Sequence, residues 1–283
     1  MIPEKVIQWF EENGYGVVES ALPVGGGCIN NGMQLKTTSD VSFFLKSNSS
    51  APPDMFSREV EGLEALDVEG GPRVPKPYLH APNFLLMEDL TPSKRTTTYW
   101  EDFGRQMAAL HNHTHKTYGF HNDNYIGSTP QPNSWTEDGY KFFAQHRLIF
   151  QANLAAQRGL LTPQEADEVK ILAGKLGELV PEQPASLLHG DLWSGNAMTD
   201  NQGAPAIIDP AAHFGWAEAD LAMTALFGAF DDRFYNAYVE ARSLPTGWRQ
   251  RFRLYNLYHL LNHLNLFGRG YYGQVMGIVR EYA

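Results

Sequence analysis

Along the first ninety residues apolar and polar positions alternate over short stretches, whereas further on the apolar positions recur every three or four residues. The opening segment predicts a helix, with Pro3 in its first turn and Asn13-Gly14 as its stop. The period then shortens. "VVESALPV", "NNGMQLKT" and "VSFFLKS" predict strands, separated by turns at Gly25-Gly26-Gly27 and Thr38-Ser39-Asp40. Asp54 is placed to cap a helix whose apolar face is Phe56, Val60 and Leu63. "NFLLMEDL" predicts a further strand that ends in acidic residues.

From residue 91 the pattern turns helical. In "YWEDFGRQMAALH" the side chains of Phe103, Met107 and Leu110 share a face. Thr162-Pro163-Gln164-Glu165 reads as a capping box, with Val169, Leu172, Leu176 and Leu179 on the stripe that follows. "APAIIDP" has no helical period and predicts a buried strand, after which "EADLAMTALFGAF", "DRFYNAYVEA" and "WRQRFRLYNLYHLLNHLNLF" predict helices. The pattern is that of an α+β protein with two lobes: a small strand-rich lobe over residues 1–90 and a larger, mainly helical one over 91–283.

Composition narrows the partners. A formal charge of −10 and the lack of a clustered basic surface argue against nucleic acid, whose phosphates require grouped Lys and Arg. No run approaches the roughly 18 apolar residues of a membrane span, and "MIPEKVIQWFEEN" lacks the basic flank and apolar stretch of a secretory signal, so a cytoplasmic location without a membrane partner is expected. The single cysteine, Cys28, rules out an internal disulfide framework and fits a reducing compartment.

The chemistry concentrates in "LLHGDLWSGNAMTD". Phosphoryl transfer needs a carboxylate near the attacking hydroxyl, oxygen ligands for Mg²⁺, a cation on the nucleotide phosphates and a cover for them. Asp191 and Asn196 stand at the spacing of the kinase catalytic loop, and Asp209, before Pro210, supplies a second oxygen ligand suited to Mg²⁺. Upstream, Lys46 ends an alternating strand and Glu59 lies on the next helix, where it can hold the lysine. Gly25, Gly26 and Gly27 let backbone approach phosphates without Cβ interference. Met87, Glu88 and Asp89 fall where two lobes would join and where adenine would meet backbone. Each of these residues alone is an ordinary turn or surface charge; their joint order is what ordinary turns rarely produce.

"LLHGDLWSGN" with "IIDPA" resembles the fructosamine kinase, or ketosamine 3-kinase, family, and the likeness extends through "GGGCIN", "FLK", "REVEGLEAL", "MEDL", "FFAQHRL", "DLAMTALFGAF" and "LYHLLNHLNLFGRGYY". The resemblance implies a protein-kinase-like bilobal fold close to that of aminoglycoside phosphotransferases. It implies ATP and Mg²⁺ as cofactors, and a free or protein-bound ketosamine (fructosamine or ribulosamine) as substrate, phosphorylated on its 3-hydroxyl in the repair of glycated amines. By position, Asp191 would be the base, Asn196 and Asp209 would hold Mg²⁺, and Lys46 with Glu59 would bind the ATP phosphates. Gly190 stands in place of the arginine that reads a phosphorylated loop in protein kinases, so constitutive activity is expected.

Phe214 and Trp216, in "AHFGWAEADLA", depart from the family pattern by replacing polar groups, which makes Trp216 a candidate substrate contact. Trp193 is either a plug under the catalytic loop or a surface on which the sugar stacks. Asp220 is expected to tie down that loop by accepting backbone hydrogen bonds. Cys28 is either a small buried residue or a thiol activated by neighbouring N–H groups, whose oxidation would displace the glycine loop. The alternate histidines of "HNHTH" suggest a metal site only weakly, since no Cys or carboxylate stands nearby. Two other readings compete: a kinase for an aminoglycoside or other hydroxylated amine, and a kinase-like binding protein without turnover.

Overall fold

The computed structural model describes residues 2–25 and 30–282. Its N-terminal part runs α1 (Glu4–Glu12), β1 (Val18–Val24), β2 (Asn31–Thr37), β3 (Ser42–Ser47), α2 (Met55–Leu66), β4 (Pro77–Ala81) and β5 (Phe84–Glu88). The five strands form one antiparallel sheet in the order β1-β2-β3-β5-β4.

Pleating explains how this sheet aims its chemistry. Successive side chains of β3 and β5 point to opposite faces. Phe43, Leu45, Phe84 and Leu86 pack with Val6 and Phe10 of α1. Leu85 and Met87 pack instead with Phe56 and Leu63 of α2. A strand covered on both faces reads as an unbroken apolar run, as "FLLM" does. Lys46, one residue beyond Leu45, is therefore turned to the face that carries α2. Asp54 precedes α2 but makes no side-chain cap; its carboxylate accepts hydrogen bonds from Arg58 and Tyr125 instead.

The rest is mainly helical: α3 (Tyr99–His111), β6 (Thr114–His115), β7 (Asn124–Ile126), β8 (Thr129–Gln131), α4 (Gly139–Phe143), a π-helical turn (Ala144–Ile149), α5 (Phe150–Gln157), α6 (Pro163–Gly174), α7 (Leu176–Leu179), β9 (Ala185–Leu188), β10 (Ala197–Thr199), β11 (Pro205–Ile207), β12 (His213–Gly215), α8 (Ala217–Met223), α9 (Asp232–Ala241), α10 (Phe252–Phe267) and α11 (Tyr272–Tyr282). Phe103, Met107 and Leu110 are buried as their spacing predicts. The capping box at Thr162 is formed by reciprocal bonds with Glu165.

Several helices are shorter than their patterns suggest. The stripe from Val169 to Leu179 breaks at Lys175 into α6 and α7. The run after Glu218 stops at Met223, where the Thr224 hydroxyl turns back to the Leu221 carbonyl and pairs with Tyr235. Residues 248–251 form turns ahead of α10. Among the described residues no helix is long and apolar enough to cross a membrane.

Backbone bonds join the two parts beside the linker. Arg73 bridges to β11 through its own N–H and carbonyl, and Ser93 and Thr96 donate to the carbonyls of Asp200 and Gly203.

Candidate active site

The face shared by β3 and α2 brings Lys46 Nζ to 2.7 Å from Glu59 Oε1. The same ammonium lies 2.8 Å from Asp209 Oδ1, contributed by the segment after β11. Burial works against the charge on Lys46, but the Asp209 and Glu59 carboxylates outweigh it and raise its pKa. Asp209 adopts φ 55°, a conformation uncommon for a residue with a Cβ. Such backbone persists only where its surroundings over-determine it.

The loop that carries Asp191 and Asn196 follows β9. His189 is fully buried; its Nε2 donates to the Ile208 carbonyl (2.8 Å) and its Nδ1 accepts from the Asp191 N–H (3.2 Å), which fits the neutral ring that burial favours. This histidine stitches the loop to the strand that delivers Asp209. Asp220 accepts from the His189 and Gly190 N–H groups at 2.7 and 2.8 Å, the tie expected of it. Burial opposes its ionisation, yet His111, 3.2 Å away, and these backbone donors hold the carboxyl below its usual pKa. Gly190 has φ +82°, and a Cβ there would stand 2.1 Å from the Ala211 carbonyl oxygen. An arginine at this position is sterically excluded.

Asn196 turns back onto the loop, its Nδ2 donating to the Asp191 carbonyl (2.9 Å) and reaching Asp191 Oδ2 at 3.3 Å. Gly195 makes room for Trp193, whose ring lies across it; a Cβ there would be 2.3 Å from the indole. Burial first, then the Asp209 and Asp220 charges, push the Asp191 carboxyl up to about 7, against the pull of Asn196 and Lys46. A carboxylate poised near neutrality is suited to accept a proton at physiological pH.

These groups line a cleft of about 780 Å³ between the sheet and the helical part. Gly25, Lys46, Glu59, Met87, Glu88 and Asp89 face it from one side, and Asp191, Trp193, Asn196 and Asp209 from the other. Gly26, Gly27 and Cys28 lie outside the described residues. The hinge acids have partners of their own: Glu88 pairs with Arg73, and Asp89 accepts from Gln34 and the Thr91 N–H.

Trp193 is half-buried, with Phe227 edge-on at 6.2 Å. The residue that plugs the core beneath the loop is Leu192, at 0% exposure. The expectation for Trp216 needs correction: it is buried among Tyr140, Phe143 and Tyr255 and lines a small internal cavity rather than the cleft. A chain neighbour of the site, it is turned into the core of the helical part. The histidines of "HNHTH" separate as well. His111 is buried between Asp220 and Tyr238, with its pKa lowered by burial, while His113 and His115 are exposed.

Sequence reasoning missed the β7–β8 hairpin, whose Asn124 and Tyr125 also line the cleft; only the turn residues Gly127-Ser128 hint at it. Among the described residues no cluster of three His, Cys, Asp or Glu side chains is arranged to hold a metal by itself. The oxygens of Asn196 and Asp209 fit a different kind of site, in which Mg²⁺ takes one or two protein ligands and completes its shell with phosphate and water.

The family model for fructosamine kinase matches residues 1–283. The chloroplastic protein-ribulosamine 3-kinase of Arabidopsis thaliana is 40% identical over 270 residues, covering 92% of this chain and 81% of the relative. A solved structure of the fructosamine-3-kinase type from Thermobifida fusca shares 33% identity at a TM-score of 0.88, covering 99% of this chain and 98% of that one. An aminoglycoside phosphotransferase in ternary complex with ADP and hygromycin B shares the fold at a TM-score of 0.62 and 18% identity, over 99% of both chains.

Proposed function

The chain belongs to the fructosamine kinase family of phosphotransferases, and on that premise we propose that it transfers the γ-phosphate of ATP to the 3-hydroxyl of a ketosamine. The observation that carries this reading is Asp191, a carboxylate raised to about 7 and set in the same cleft as Lys46, Asn196 and Asp209. Asp191 accepts the proton of the attacking hydroxyl. Lys46, oriented by Glu59, neutralises nucleotide phosphate charge. Asn196 and Asp209 hold Mg²⁺, which offsets the charge on the transferring phosphoryl group. The segment from Met87 to Asp89 receives the adenine, and Gly25 lies at the phosphate end of the cleft lining. Trp193 offers the sugar an aromatic face at the mouth of the cleft.

Phosphorylation at O3 makes the sugar phosphate prone to β-elimination, which frees the amine, so the reaction amounts to repair of glycated amines. The test is phosphate transfer from Mg-ATP to fructosyl- and ribulosyl-lysine derivatives, aminoglycosides and plain sugars, with the product located by ³¹P NMR. Phosphate on O3 of a ketosamine is expected, with turnover reduced by about 10²- to 10⁴-fold in Asp191→Ala. Transfer to another acceptor and to no ketosamine would discard the repair function. Transfer surviving undiminished in Asp191→Ala would remove that residue from its role.

A further inference from the structure

We propose that the β7–β8 hairpin is a positioning device that holds Glu59 and Asp209 in register with Asp191 at once, through Asn122 and Tyr125 on one side and Asn124 and Gln131 on the other. The proposal rests on the kinase reading above. Tyr125 Oη donates to Asp54 Oδ1 at 2.6 Å, and Asn122 Nδ2 donates to Glu61 Oε2 at 3.0 Å. Asp54 and Glu61 bracket Glu59 along α2, and Arg58 ties them together, at 3.2 Å to the first and 2.6 Å to the second. The rim of α2 that carries Glu59 is thus fastened at two points to the helical part of the molecule. Burial and the Asp54 charge push the Tyr125 hydroxyl up to about 12, so it stays a donor to a carboxylate across the working range.

The other side of the same hairpin grips the segment just after Asp209. Asn124 Nδ2 donates to the Ala212 carbonyl (2.9 Å), and Gln131 Nε2 donates to the Ala211 carbonyl (3.0 Å) and to Asn124 Oδ1 (2.8 Å). Asn133 reaches Asn124 Oδ1 at 2.8 Å, and Tyr258 closes the set on Gln131 Oε1 at 2.6 Å. Asn124 and Gln131 are 5% and 0% exposed. A buried polar network in which each amide has partners is rigid, because breaking any bond leaves a desolvated group unpaired. It fixes the residues two and three beyond Asp209 and supports its unfavourable φ.

In kinases the lysine–glutamate pair and the metal-binding aspartate must both be in place, and a phosphorylated loop commonly controls them. Here one hairpin of neutral side chains sets both, with no covalent input.

The test is ADP affinity by calorimetry, which needs no acceptor, in Tyr125→Phe, Glu59→Gln and the double variant. Tyr125→Phe removes one hydroxyl and is expected to weaken ADP roughly threefold to tenfold, while the double variant binds no more weakly than Glu59→Gln alone. Unchanged affinity in Tyr125→Phe would overturn the proposal. So would losses that multiply in the double variant, since the tyrosine would then act other than through Glu59. A chain that shows the coupled losses but phosphorylates no ketosamine would sink the substrate assignment and leave the hairpin's role intact.

Discussion

The two walls of the cleft are built on different principles. On the nucleotide side the groups are ionic and interlocked: Lys46 is shared between two carboxylates from distant segments, and Glu88 and Asp89 are each held by a partner. Across the cleft the surface around Asp191 is aromatic and amide, with Trp193, Tyr125, Asn124 and Asn196. Charge neutralisation is common to phosphoryl transfer whatever the acceptor, whereas selecting the acceptor is a matter of shape and stacking. On the proposed reading, the first wall serves the reaction and the second the substrate.

Lys46→Met attacks the ionic wall and carries the larger effect of the changes that separate the two walls. It leaves Glu59 without its cation, so turnover should fall by about 10²- to 10³-fold and the melting temperature should drop as well. A variant with parental rate would show that the lysine is only a structural partner.

The pH profile singles out Asp191. With Asp191 near 7, kcat/KM should fall about tenfold per unit as pH drops below that value and the carboxyl takes up its proton. The stability effect has the opposite sense. A carboxyl whose folded pKa lies above its ordinary value favours folding in the protonated form, and that contribution is lost as pH rises from the ordinary carboxylate range through about 7. Asp191→Asn should therefore melt higher than the parent at pH 8, with the gap closing in acid. Equal melting temperatures at pH 8 would contradict the shift.

Trp193→Ala touches only the aromatic wall and has the smallest expected effect. KM for the acceptor should rise roughly threefold to tenfold, the worth of a stacked ring, while KM for ATP stays at the parental value. Equal changes in both would erase the distinction between the walls.

The sequence made some parts of the cleft far more readable than others. Asp191 and Asn196 sit five positions apart on one loop, and Lys46 ends a strand whose alternation assigns its face, so local spacing is enough to find them. Asp220 was legible through its motif. The hairpin was not: Tyr125 and Asn122 meet partners 71 and 61 positions away, and short amide-rich strands leave no periodic signature. Trp216 misled because proximity along the chain says nothing about which way a ring turns. The weak metal signal of the grouped histidines dissolves for a similar reason: the end of α3 separates them, burying His111 and exposing His113 and His115.

The bridge from Arg73 to β11 and the bonds of Ser93 and Thr96 to the β10–β11 turn bolt the hinge side of the sheet to the helical part, and the hairpin bolts α2. At the far edge, among the described residues, β1 pairs with β2 alone and is exposed along most of its length, while β2 is held by β3 and by the bond from Gln34 to Asp89. Swinging the sheet away from the helical part as one rigid jaw would therefore mean breaking backbone and side-chain bonds at several separate places at once.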